Sequence, residues 1–569
     1  MAGQVEIKVA NNILPMKRNQ DDIWSRHITT DIRPVDYFFI IDGGKPLPDP
    51  RSQFQPLGVH GPSRHVDHSP FHWEDNGFTQ KPLSSAVIYE LHIGTFTPEG
   101  TFVGCINKLD YLKGLGITHI ELMPVAEFSG ERGWGYDGVD LFAPHHAYGG
   151  PNGLKRLINE CHKKGIAVII DVVYNHLGPE GNYLGQYGPY FTEKYKTPWG
   201  RAVNLDGPRS DRVRKFFIEN AVMWFKHYHV DGLRLDACHS LYDMSALHFL
   251  EQLADTATRL ETELDKGLVL IAETDLNDPV FVRSQDMYGY GLNAQWNDDF
   301  HHAVHSLLTG EKDGYYADFG KTSHLAGAMK DIYVYTGQYS KFRKKHHGRP
   351  LNTFDGSRFV VFSQNHDQVG NRAKGGRLCS LISIEKTKVA AALVLTSPFV
   401  PLLFQGEEWA ASSPFLYFTS HRDPDLAGAV REGRKKEFTA FGWSPGDIPD
   451  PQDSESFRLS ILRWDEQSTL PHAEILAWYK QLISLRNRFR SLSCGACDRI
   501  TIDYSEERRW IHITRDEMNI FCNLSEAEQQ LSTPKASGDL ILTSTKKIRL
   551  HENELFMPGW SVVIIRYTL

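Results

Sequence analysis

Apolar and polar positions follow three different patterns along the chain. Up to about Gln80 the apolar runs are short, either alternating as in Val5-Glu6-Ile7-Lys8-Val9 or brief blocks such as Tyr37-Phe38-Phe39-Ile40-Ile41, and Gly, Pro, Asp and Ser separate them. Strands punctuated by turn residues predict a small immunoglobulin-like β-sandwich over residues 1–82.

From Ala86 the pattern changes to apolar strands alternating with amphipathic helices, which predicts a parallel sheet with crossover helices. The strand-like stretch 87–91 precedes a helix carrying Leu109, Leu112 and Leu115, and then a strand at 117–123. A second helix places Leu154, Leu157, Ile158 and Cys161 on one face, stops at Gly165 and feeds a strand at 166–171. A third runs from about Asp211 and delivers the strand that ends at Asp236. Further strands are legible at 268–272, 358–363 and 401–404, and a helix from about Ala473 to Arg488 follows. The expected fold is α/β, a (β/α)₈ TIM barrel over 83–490 with a short excursion at about 177–208. After about Ser491 helices disappear, and runs such as Trp510–Thr514 and Ser561–Ile565 predict a C-terminal antiparallel β-domain over 491–569.

Composition narrows the function. A chain of 569 residues exceeds what one hydrophobic core organises, in keeping with a barrel plus accessory domains. Aromatic residues make up 12% of it, enough to serve both cores and flat platforms for sugar faces. A net charge of −8 leaves no basic footprint for nucleic acid, and a neutral substrate is compatible. Seven cysteines, an odd number, argue against a disulfide framework or a zinc cluster and for reduced thiols. The N-terminus lacks a signal-peptide apolar region and no stretch is long and apolar enough for a membrane span, so a soluble, cytoplasmic protein is expected.

The candidate chemistry sits where barrel strands end. Four ends are polar: Asp171–His176, Arg234–Asp236, Ala272–Asp275 and Asn365–Asp367. A single Asp at a strand end is usually a turn or cap residue, but four such ends opening on one funnel are the layout of a barrel active site. Strand periodicity puts Arg234 and Asp236 on one face, where the guanidinium can keep the carboxylate ionised. Glu273 follows an apolar strand whose burial raises its pKa, so it can serve as a general acid. An ionised and a protonated carboxyl together are what retaining glycoside hydrolysis requires. On this reading Asp236 is the nucleophile and Glu273 the acid/base. Asp367 grips sugar hydroxyls at the scissile residue, with His366 and His176 as hydrogen-bond donors.

The strings DVVYNH (171–176), GLRLDACH (232–239), AETD (272–275) and QNHDQVGN (364–371) resemble, in order, the signature of the α-amylase family of glycoside hydrolases. The segment Trp134–Gly138 is similar to the family loop whose Tyr, here Tyr136, stacks under the scissile sugar. Strings at 89–100, 296–302, 406–409, 413–421 and 431–437 are most similar to the members that release trehalose from the end of a maltooligosyltrehalose. The resemblance implies substrate contacts from Tyr136, His176, Arg234, His239, Trp296, Asp298, Asp299, His366, Gln368 and Asn371, with trehalose held by a loop from Trp296 to His302. It implies a maltooligosyltrehalose or related α-glucan as substrate, a maltooligosyltrehalose-forming enzyme as functional partner, and no cofactor. Relatives of this kind begin the N-terminal sandwich with extra strands, whereas this chain enters it at Val5, so a truncated or remodelled domain is expected. Many α-amylases hold a calcium with an Asn matching Asn175 and a His four residues past the nucleophile. Position 240 is Ser and His239 comes one residue early, so no metal is expected and Asn175 is left to brace its loop by hydrogen bonding. Two alternatives stay open: a glycogen branching or debranching enzyme, and a non-catalytic carbohydrate-binding barrel, against which the three carboxylates speak.

Overall fold

The computed structural model describes residues 2–21, 23–351, 355–439, 444–534 and 538–567. At its centre eight parallel strands close into a barrel: β1 (Ile88–Leu91), β2 (His119–Leu122), β3 (Ala167–Val172), β4 (Gly232–Leu235), β5 (Val269–Ala272), β6 (Ala294–Trp296), β7 (Phe359–Val361) and β8 (Val400–Phe404). They pair in chain order, and β8 returns to β1 with Phe404 opposite Glu90. Seven of them coincide with the apolar runs of the sequence. The other, β6, is three residues long with Gln295 at its centre, so no apolar run announces it. It makes Trp296 the end of a barrel strand, where the resemblance implies a loop.

Alternation along the strands sorts side chains between two cores. Leu233 and Leu235 point outward into the large core shared with the helices. Ile88, Ile169, Ile271, Ala294, Trp296, Val360 and Leu402 fill the barrel interior. One inward position further along the strand, the same alternation reaches Glu90, Asp171 and Glu273. The lower barrel is therefore a dry plug, and the polar groups collect above it at the C-terminal mouth.

Local signals set the crossovers. The helix Gly150–Lys163 ends at Gly165, whose φ of 75° lets Ile166 N–H reach Cys161 O at 2.9 Å before β3 starts. The excursion after β3 carries an antiparallel ribbon, Phe191–Thr197 with Gly200–Val203, and Trp199 stands at its tip.

The N-terminal segment holds one four-stranded antiparallel sheet, in the order Asn12–Pro15, Val5–Val9, Asp36–Ile41, Ser63–Arg64, and a separate ribbon of Lys17–Arg18 with Trp24–Ser25. Among the described residues this is a single sheet layer and a ribbon, where the pattern predicts two facing sheets. The excursion packs against that sheet: Phe39 meets Tyr187 edge to face at 6.4 Å, and Tyr187 Oη donates to Pro48 O at 2.7 Å. No helix among the described residues is long and apolar enough to cross a membrane.

At the C-terminus a five-stranded antiparallel sheet is backed by a three-stranded one. Ile511, Ile513, Ile520, Val562 and Ile564 of the larger sheet join the barrel core, while Phe521, Val563 and Ile565 face Leu531, Leu555 and Met557 of the smaller. At the seam the buried Arg515 donates from Nη1 to Thr396 O, Ser397 O and Leu492 O at 2.7–3.0 Å and from Nη2 to Cys494 O at 2.5 Å. The variant Arg515→Leu leaves four carbonyls without that donor. Charged hydrogen bonds contribute about 1.5–3 kcal/mol each, so with partial relaxation a loss of about 3 kcal/mol is expected. It should appear as a lower apparent melting temperature with unchanged turnover per folded molecule.

Candidate active site

The strand register assembles the site before any loop takes part. Asp171 of β3 lies opposite Arg234 of β4. Asp236 and Glu273 stand one residue past β4 and β5, yet their N–H groups continue the ladder, to Val172 O at 3.1 Å and Leu235 O at 3.0 Å. Both carboxyls are thus carried by barrel backbone, the most rigid support in the fold.

Arg234, with no exposed surface, connects them. Its Nη1 donates to both Asp171 oxygens, at 3.0 and 2.8 Å, and to Asp236 Oδ1 at 2.9 Å. Nη2 lies 3.9 Å from Glu273 Oε2, and the guanidinium sits 4.3 Å over the Trp296 ring. Glu273 Oε2 accepts the Ala237 N–H at 2.6 Å, from a residue in the left-handed region at φ 39°. Burial drives the Glu273 carboxyl well above the usual carboxylate range; Arg234 opposes that rise and the charge of Asp236 adds to it. The result is a protonated acid beside a carboxylate held by arginine, a pairing able to run acid and nucleophile roles on one bond. Asp171 is pushed up to about 6 by burial against the attraction of Arg234, and Asp298 to about 7 by burial with the charges of Asp275 and Asp367.

On the opposite wall, Gly135 turns the chain at φ 99°, where an added Cβ would lie 2.3 Å from Pro124 O. The turn aims Tyr136 at the cleft. Its hydroxyl donates to Asp171 Oδ2 at 2.6 Å and lies 2.6 Å from His366 Nε2, and its ring stacks on His366 at 5.1 Å. Asp367, in the same wall, keeps 43% of its side chain exposed. His176 donates from Nε2 to Tyr136 O at 3.0 Å and stacks flat on Trp199 at 4.3 Å. His239 is part exposed with Nδ1 4.0 Å from Asp275 Oδ1.

Several residues expected to touch sugar do structural work. Trp296 is 2% exposed, under Arg234 and against Phe362. Asp299 is buried, and its Oδ2 accepts from Val334 N, Tyr335 N and Asn277 Nδ2 at 2.8–2.9 Å, so it ties down a loop. Its neighbour Asp298 remains facing the charges of the cleft. Gln368 closes a capping box with Asn365, which accepts from Asp367 N at 2.9 Å and Gln368 N at 3.2 Å. Asn371 is exposed, with Nδ2 3.4 Å from Asp367 Oδ1. Glu408 in the 406–409 string accepts the Tyr89 and Tyr111 hydroxyls, and Trp409 is fully buried, so that string is packing.

Sequence reasoning missed Glu90, which accepts from His366, although a lone Glu inside the apolar run 87–91 was a signal. It also missed Trp199, 48% exposed, and Tyr315, 36% exposed and stacked on His302 at 4.8 Å beside Asp298 and Asp367. Arg343, donating to Asp275 Oδ2 at 2.8 Å, and the exposed Phe342 next to it came from a stretch without periodicity.

Neither side-chain atom of buried Asn175 has a hydrogen-bond partner among the described residues, so the expected bracing bond is not made; Ser240 stands at the position of the family histidine, and His239 Nδ1 lies 4.0 Å from Asp275 Oδ1. Elsewhere Glu127, His145 and His146 bring ligand atoms within 4.8 Å of one another. Glu127 already accepts the His146 N–H at 2.8 Å and pairs with its Nδ1 at 2.7 Å, so its carboxylate is satisfied without an ion.

The chain is similar to known proteins over most of its length. The model of the α-amylase catalytic domain matches residues 63–198. A malto-oligosyltrehalose trehalohydrolase from Rhizobium sp. (strain M-11) is 46% identical over 535 residues, 94% of this chain and 89% of that one. One from Saccharolobus solfataricus is 48% identical over 495 residues, 86% of this chain and 84% of that one. Among solved structures, a candidate α-amylase from Salmonella typhimurium superposes with a TM-score of 0.90 at 38% identity, covering 100% of this chain and 96% of that one.

The adjacent Asp298 and Asp299 offer a paired test. Asp299→Ala should lower stability by about 3 kcal/mol, because three buried donors lose their acceptor. Asp298→Asn should leave the melting temperature within about 1 °C and reduce kcat/KM on the substrate, since the swap keeps the side-chain shape and removes a charge that burial and the neighbouring acids already disfavour. Thermal melts and steady-state rates on both variants separate the roles.

Proposed function

The chain belongs to the malto-oligosyltrehalose trehalohydrolase family, of the α-amylase type of glycoside hydrolases, and from that membership we propose that it cleaves the α-1,4-glucosidic bond next to the terminal trehalose of a maltooligosyltrehalose. The products are trehalose and a maltooligosaccharide, released with retention of configuration. The observation that carries this reading is the Arg234 hub, which holds Asp236 while burial keeps Glu273 protonated beside it.

Arg234 occupies Oδ1 of Asp236, so Oδ2 is the oxygen free to attack the anomeric carbon and form a glycosyl ester. Glu273 gives its proton to the departing oxygen of trehalose. It then takes a proton from the water that attacks the ester, which frees Asp236 and restores the acid. Asp367, the most exposed of the three carboxylates, holds sugar hydroxyls and binds more tightly as the ring flattens toward the transition state. Tyr136 offers its ring face to the scissile glucose, and Trp199, Tyr315 and Phe342 supply exposed aromatic platforms for neighbouring sugars. A maltooligosyltrehalose-forming enzyme in the same cytoplasm supplies the substrate.

Incubation with maltotriosyltrehalose should give trehalose and maltotriose; appearance or loss of α-1,6 branches instead would overturn the assignment. Glu273→Gln should lower kcat by about 10²–10⁴-fold, and Asp236→Ala by about 10⁴-fold or more. Because the acid must be protonated and its pKa is raised, activity should persist at neutral pH and fall as pH rises through the Glu273 pKa. In Glu273→Gln the residual rate should lose that limb.

A further inference from the structure

We propose that Glu90, on barrel strand β1, is a positioning residue that fixes His366 as an imidazolium and so builds a permanent positive charge into the wall between Tyr136 and Asp367. Its effect on turnover rests on the glycoside hydrolase reading above, whereas the charge on the ring does not.

Hydrogen-bond direction carries the argument. The Tyr136 hydroxyl has one proton and two close partners, Asp171 Oδ2 and His366 Nε2, each at 2.6 Å. Asp171 already accepts two bonds from Arg234 and is an acceptor, so the phenol donates to it. The same phenol oxygen must then accept from His366 Nε2–H. On the other edge of the ring, Nδ1 lies 2.5 Å from Glu90 Oε1, and the second oxygen of Glu90 accepts the backbone N–H of His366 at 3.0 Å. A carboxylate gripping that backbone amide with one oxygen accepts a hydrogen bond from Nδ1–H with the other. Both ring nitrogens therefore donate, and only the imidazolium has two N–H groups.

The surroundings agree. Burial opposes a charge on the ring and Arg234 repels it, but Asp367, with Oδ1 3.5 Å from Nε2, and Glu90 outweigh both, and the imidazole is pushed up to about 9. Tyr136, Asp171, Glu121 and His92 are the remaining titratable groups that feel it. Glu121 sits beside Glu90 in the strand register, 1% exposed, and neither of its oxygens has a hydrogen-bond partner among the described residues. Burial and the neighbouring Glu90 push it well above the usual range. A neutral ring would forfeit one of its two bonds, freeing either Tyr136 or the ring itself to rotate, and would leave Asp367 without its counter-charge.

The test reads the ring directly. Protein carrying ¹³Cε1-labelled histidine is titrated from pH 6 to 10, with the His366 resonance assigned by its absence from His366→Asn. The parent ring should be protonated at pH 7. In Glu90→Gln the titration should fall by about 2 pH units or more, the size expected for losing a contacting charge, and in Glu90→Asp it should return toward the parent. The alkaline limb of kcat, which Glu273 sets, should stay where it is in Glu90→Gln, so the ring titration is the readout that separates a lost charge from lost packing. A parent ring that is neutral at pH 7, or a Glu90→Gln ring that titrates with the parent, overturns the proposal. If Glu90→Gln does not fold, the parent titration decides. A protein that releases no trehalose yet shows the shift upholds Glu90 and overturns only the substrate reading.

Discussion

A guanidinium with no exposed surface, placed at the top of a packed barrel, has to be surrounded by acids, and the rest of the site is organised by that requirement. Arg234 binds Asp171 across the strand register, Asp236 two residues along its own strand, and approaches Glu273 on the next. Three carboxyls around one cation cannot all ionise freely, so burial and mutual repulsion leave one of them, Glu273, as the acid. The division of labour between nucleophile and acid follows from charge balance and burial more than from any special property of either side chain.

A second cation completes the pattern on the opposite wall. His366, clamped by Glu90 and set against Asp367, mirrors Arg234 set against Asp236. Tyr136 bridges the two halves through Asp171 and His366, so the platform under the sugar is tied to both charge centres. The apolar plug below, built from Ile88, Ile169, Ile271, Val360 and Leu402, excludes water from these pairs and strengthens them. The C-terminal sheet contributes from outside, packing its apolar face onto the barrel helices and pinning the seam with Arg515.

Legibility in the sequence followed periodicity. Seven barrel strands stood out as apolar runs, and the polar residues ending four of them marked the mouth. Strand β6 stayed hidden because three residues with a central Gln carry no period, and with it the true position of Trp296 was lost. Asp298 and Asp299 are adjacent on the chain, but the helix start turns one toward the cleft and the other onto the backbone of Val334 and Tyr335, a distinction that needs three dimensions. Glu90 was readable as a charge inside an apolar strand; its partner, 276 residues away, was not. Trp199, Tyr315 and Phe342 are exposed rings on segments without periodicity, so nothing in the sequence singled them out.

The account is tested most directly by trapping the covalent intermediate. The protein is treated with a 5-fluoro-α-glucosyl fluoride, which slows breakdown of the glycosyl ester, then digested and its peptides weighed. The account expects one glucosyl-sized increment on the peptide containing Asp236. Fluoride release without any adduct, or an adduct on a peptide that lacks Asp236, would contradict it.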